Sequence, residues 1–122
     1  MEDSTKAQPA PVEEDEIASE YANSLLFAPN IWDLKILFGE LSRKQGQGVD
    51  WHTSITLPWA QAKLMAYYLA ANIAFHELHN GPIRVPESMI PPEPPPPTKS
   101  GKDEALFQFI KEHRQKFLES LK

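Results

Sequence analysis

Hydrophobic and polar residues alternate in three stretches of this chain, and a period of two marks strands with one face built for burial. In "YANSLLF", Tyr21, Leu25 and Phe27 fall at alternate positions. In "WDLKILF", Trp32, Leu34, Ile36 and Phe38 share one face while Asp33 and Lys35 take the other. Between them "APNI" holds Pro29 and Asn30, residues suited to a bend, so the two stretches read as an antiparallel hairpin. Gly39 is read as the end of the second strand, and the polar "GELSRKQGQG" as a mobile connecting loop reaching Gly48. Val49, Trp51, Thr53, Ile55 and Leu57 then share one face of a third strand, opposite Asp50, His52, Ser54 and Thr56. Its β-branched and aromatic content fits a half-buried strand.

The period changes at Pro58, where proline at a first helical position sacrifices no needed hydrogen bond. Alanine-rich sequence continues to Asn80, predicting a helix of about 22 residues, about 33 Å long. Gly81 suits the left-handed closing conformation, and Pro82 cannot continue the helix. Leu64, Tyr68, Ala71, Phe75 and Leu78 form one stripe, widened by Met65, Leu69 and Ile73. That apolar surface exceeds what one sheet face needs, so a second protomer is the expected cover.

Composition sharpens this. The 122 residues include 12 prolines, 5 glycines and no cysteine, and eight of the prolines lie between Pro82 and Pro97. That block can be neither helix nor central strand and favours an extended polyproline conformation. Residues 1–19 are acidic and poor in large apolar groups, as in a disordered tail. Four segments follow: the tail at 1–19, a β-β-β-α core at 20–81, a proline-rich linker at 82–99, and a C-terminal amphipathic helix at 100–122. In that helix Leu106, Ile110, Phe117 and Leu121 form a stripe bordered by Phe107 and Leu118, and Ser100 with Asp103 forms a capping pair. The expected fold is α+β: a three-stranded antiparallel sheet packed by one long helix, with the linker and last helix outside it. A core of roughly 60 residues is near the lower limit for a lone domain, which favours a homo-oligomer, a dimer or higher.

Charge narrows the partners. The formal net charge is −5, which argues against the basic footprint of a nucleic-acid binder. The start lacks a basic segment followed by an apolar one, and no run approaches 18 apolar residues. Neither a secretory signal nor membrane association is expected, and the reading is a soluble, cytoplasmic protein. With no cysteine, thiol catalysis, disulfides and cysteine-based metal sites are excluded.

Candidate chemistry is sparse. His76, Glu77 and His79 in "HELH" invite a metal, but the metalloprotease pattern needs histidines at i and i+4, and these stand at i and i+3. A solvated or partly packed helix end is the favoured reading. Asp33, Asp50 and Glu77 lie on different elements and form no catalytic pair. "SRKQGQG" lacks the Gly-Lys-Ser/Thr of a phosphate loop, and Ser24, Ser42 and Ser54 lack a nucleophile elbow. No enzyme activity, cofactor or metal is expected. The proline block has PxxP spacings suited to an SH3-like groove, but a plain spacer is the reading favoured here.

Two resemblances bear on this. Tyr21, Ala22 and Asn23, then Asp33, Phe38 and Gly39, then Pro58, Ala62, Lys63, Leu64, Leu69, Asn72, Ile73, Glu77, Gly81 and Ile83 fall on strand and helix signatures. This order resembles the small prokaryotic family called domain of unknown function 3467, over about half the chain from Tyr21 to Ile83. Leu57 and His76 depart from its pattern, where a small residue and a tyrosine are usual. That resemblance implies no known activity. The "FAPN" strand end, proline-opened helix, glycine-proline exit and terminal amphipathic helix are also similar to the SecB export chaperones. That likeness implies an oligomer whose apolar grooves hold unfolded polypeptide.

The sequence therefore points to a non-catalytic protein-binding or oligomeric assembly module. A SecB-like holdase is the first alternative, and small-ligand or metal binding at the helix end the second. Its candidate interaction surface is Phe27, Trp32, Leu64, Tyr68, Phe75, Leu106, Ile110, Phe117 and Leu121.

Overall fold

A computed structural model of the chain describes residues 17–42, 48–97 and 101–122. Most of the acidic segment, the Arg43–Gln47 part of "SRKQGQG" and Ser100 of the expected capping pair lie outside the described residues. The fold class is α+β. Strands β1 (Ser24–Pro29), β2 (Asp33–Leu41) and β3 (Val49–Pro58) are followed by helix α1 (Trp59–Asn80), a short 3-10 turn (Glu87–Met89) and helix α2 (Gly101–Ser120). Two compact units divide the chain within α1, Met1–Leu64 and Met65–Lys122.

In the first unit the strands form an antiparallel sheet in the order β1-β2-β3. Phe27 pairs with Ile36, which pairs with Ile55, so these three side chains lie in a row on one face. The hairpin turn between β1 and β2 is built by Asn30. Its side-chain oxygen accepts from the backbone N–H of Trp32 at 2.7 Å and of Asp33 at 2.9 Å, while its amide nitrogen donates to the Asp33 carboxylate at 2.8 Å. This is the Asx-turn chemistry that makes asparagine a turn former. Trp32, expected on the β2 face with Leu34, instead lies within this turn, because Pro29 still pairs in β1 and the chain needs three residues to reverse. At the other end of the hairpin, Asn23 accepts from the Leu41 N–H at 2.9 Å through its side chain. It thereby locks the chain before β1 to the end of β2.

Two sequence expectations are corrected at one place. Gly39 does not end β2, which continues to Leu41. The register shifts there: Phe38 pairs with Thr53 but Gly39 pairs with Trp51, leaving His52 as the extra residue of a β-bulge. A bulge reverses the alternation. Val49 and Trp51 therefore lie with Leu37, Gly39 and Leu41, while Thr53, Ile55 and Leu57 lie with Phe38, Ile36 and Leu34. The five residues that alternate in sequence are divided between the two faces, so both faces carry apolar residues, with Lys35, Ser54 and Thr56 interspersed on the face of Trp51. Gly39 is buried, and a Cβ there would sit 2.6 Å from the Asp50 carbonyl oxygen and 2.9 Å from both the Trp51 ring and Val49. Trp51 covers glycine backbone where another residue would carry its own side chain.

The second unit holds the rest of α1. Gly81 closes the helix with φ +87° and donates its N–H to the Glu77 carbonyl at 2.9 Å, the expected left-handed cap. The Glu77 carboxylate accepts from the Ile83 N–H at 2.9 Å and fixes the exit path. The proline segment is more than a tether between elements. Arg114 Nε donates to the Pro91 carbonyl at 2.9 Å, and Pro94–Pro97 line a hollow with Asp103, Leu106, Phe107 and Ile110 of α2. No described helix is long and apolar enough to cross a membrane.

Gly39→Ala is expected to destabilise the sheet by on the order of 1–3 kcal/mol, because a new methyl meets backbone that cannot swing aside. Urea unfolding monitored by tryptophan fluorescence measures it. Gly101, with nothing within 4 Å of an added Cβ, is the control and should tolerate alanine without loss.

Candidate interaction surface

Among the described residues Ile36, at 2% exposure, is the one buried hydrophobic side chain. It owes that to its place in the middle of the middle strand, flanked by Phe27 and Ile55 across both registers. Those flanking residues are themselves 55% and 46% exposed. Leu26 and Leu41 are exposed on the opposite face. At the hairpin tip Ile31 and Trp32 project furthest, at 82% and 79%.

Helix α1 follows the same pattern. Alanines and long side chains give it strong helix propensity. No residue of it is buried. Leu64, Tyr68, Phe75 and Leu78 lie on the stripe that the spacing predicts, and each is exposed. Tyr67 and Tyr68 pack edge to face with centroids 5.2 Å apart, a contact that orders two rings without covering either. The start of the helix is tied to the sheet's turn, since Trp59 Nε1 donates to the Asn30 carbonyl at 2.8 Å. Asn30 thus serves both the hairpin and the strand-to-helix junction. Sequence reading assigned it only the bend, since nothing local to residue 30 points to a partner 29 positions away.

The C-terminal candidates separate into two groups. Leu106 and Ile110 line the hollow of about 210 Å³ against the proline segment. Phe117 and Leu121 are half-buried in the last turns. Phe107 is half-buried and lines this hollow and a second one with Glu93, Pro94, Lys111, Arg114 and Gln115. Arg114, absent from the sequence-based list, is the residue that reaches the proline backbone. A lone arginine on a polar helix face gives no signal of such a role.

The helix end at "HELH" has local bonding. His79 Nδ1 lies 3.0 Å from the Phe75 carbonyl, His76 Nδ1 lies 3.4 Å from the Asn80 amide nitrogen, and Glu77 holds the Ile83 N–H. Each group engages a different neighbour, and none converges with another. Asp33 is likewise engaged by Asn30. His52, brought out by the bulge, has Nε2 2.9 Å from the Tyr21 carbonyl and Nδ1 2.7 Å from the Thr53 hydroxyl. It borders a hollow of about 340 Å³ with Ala18, Glu20, Ala22, Phe38, Thr53 and Ile55. Nε2 thereby holds the chain before β1 against β3, while Nδ1 is engaged within β3. No family model, curated protein or solved structure matches the chain.

Trp59→Phe keeps the ring and removes one hydrogen bond, so it is expected to cost about 1 kcal/mol, and Asn30→Ala about 1–2 kcal/mol. Chemical denaturation of both variants and of the double variant checks the link. Alanine at position 30 keeps the carbonyl that receives the indole but removes the side-chain bonds that place it, so the double variant should lose less than the sum of the two singles.

Proposed function

We propose that this chain is a non-catalytic assembly module whose interior is completed by a second copy of itself. The observation that carries the reading is the contrast, among the described residues, between one buried hydrophobic side chain and the exposed row of Leu64, Tyr68 and Phe75 on α1. Burying apolar area contributes about 25 cal/mol per Å², and a domain with one buried apolar side chain forgoes most of that contribution. A symmetric partner supplies matching apolar surface by construction, since the same stripe occurs on both copies. Apolar residues exposed on both sides of the sheet, Phe27 and Ile55 on one and Leu26 and Leu41 on the other, support the same reading. The resemblance to the domain of unknown function 3467 family adds no activity to this reading.

A second reading, a SecB-like holdase, draws on Phe27, Ile31 and Trp32, which expose apolar surface at and beside the hairpin tip. Such a surface would hold extended apolar segments of an unfolded client. Protection of a denatured test protein from aggregation, lost in Trp32→Ser, is the result this reading needs. Ligand or metal binding at the helix end draws least support, because His76, Glu77 and His79 are engaged separately.

For the assembly itself, sedimentation velocity at micromolar concentration should give a dimer or larger species. Tyr68→Asp with Phe75→Asp should convert it to a monomer with a lower unfolding midpoint. A folded monomer in the unaltered protein, at every accessible concentration, would overturn the proposal.

A further inference from the structure

The apolar face of α2 and the proline segment fit each other in length and in period. A polyproline helix rises about 3.1 Å per residue, so the six steps from Pro91 to Pro97 span about 19 Å. The eleven steps from Asp103 to Arg114 span about 17 Å at 1.5 Å per helical residue. The two run antiparallel. Pro91 meets Arg114 at one end, while Pro97 lines the hollow that includes Asp103 at the other. With three residues per turn, Pro91, Pro94 and Pro97 recur on one side of such a segment. Pro94, the middle of these, is half-buried and lines both hollows along α2, in each case with Phe107.

We infer that α2 carries a binding groove for a polyproline II segment, and that its occupant is this chain's own Pro91–Pro97. Phe107 supplies the aromatic floor and Arg114 the donor for a carbonyl. That is the chemistry proline-rich ligands require, since their backbone offers acceptors and almost no donors. The Lys111 ammonium stands 5.9 Å from the Phe107 ring centroid and holds that ring from the neighbouring turn. A pre-extended proline segment loses little conformational freedom on docking, which makes a short contact sufficient. The tether is short as well, so the effective concentration of the segment at the groove is high. Two consequences follow for recognition. The PxxP spacings Pro91/Pro94 and Pro94/Pro97 are turned toward α2, not offered to an outside proline-reading domain. A partner that docks on α2 meets the exposed Phe109 edge and leaves the Phe107–Arg114 face to the strap.

The chain has no cysteine, so a nitroxide pair at Pro92→Cys and Lys116→Cys reports the strap-to-helix distance in the full-length protein. The expected result is one narrow, short distance that survives dilution with excess unlabelled chain. Phe107→Ala with Arg114→Ala should abolish that short population. Pro94→Gly, which leaves α2 untouched, should do the same while far-UV circular dichroism keeps its helical signal. A broad distribution in the unaltered protein, a short distance indifferent to Pro94→Gly, or its loss on dilution would each overturn the assignment. Loss on dilution would show the segment seated on another copy.

Discussion

Scarcity of interior is the constraint on which the other features of this protein depend. With Ile36 alone buried among the described apolar side chains, hydrophobic burial within the chain cannot supply the usual driving force. What local order exists must come from elements that need little burial. A hairpin held by backbone pairing and an asparagine-built turn meets that condition, as does an alanine-rich helix of high propensity.

Polar side chains accordingly carry the architecture at each junction. Asn23 closes the open end of the hairpin, Asn30 shapes its tip and receives the Trp59 indole, and Glu77 holds the exit from α1. Arg114 does the same for the proline segment. Each is a hydrogen bond to backbone, the commonest kind of side-chain hydrogen bond and the kind that fixes chain direction. Such bonds set where the chain goes but add only modest net stability each. They leave the apolar faces presented in a defined arrangement, which is the condition an assembly surface has to meet.

The proline block acquires a physical role in the same frame. It cannot enter a sheet or a helix, and its described residues lie instead along α2, as the hollow lined by Pro94–Pro97 and the Arg114 bond to Pro91 show. That amphipathic helix supplies the apolar face, with Phe107 and Pro94 at the centre of the contact.

Much of this was legible from local pattern. Period-two alternation located all three strands, Pro58 and Gly81 bracketed the long helix to within a residue, and the spacing of Leu64, Tyr68 and Phe75 put them on one stripe. These succeed because strand and helix periods are properties of neighbouring residues. The same arithmetic failed at Gly39 and His52. A bulge is defined by what lies across the sheet, and one inserted residue there moved Val49 and Trp51 to the other face. Trp32 was likewise displaced from strand to turn by the pairing of Pro29, and Asn30 and Arg114 gained partners 29 and 23 positions away. Composition therefore dictated the elements and the shortage of core. Three-dimensional pairing alone decided which faces those elements present, because cross-strand register and long-range hydrogen bonds leave no periodic trace along the chain.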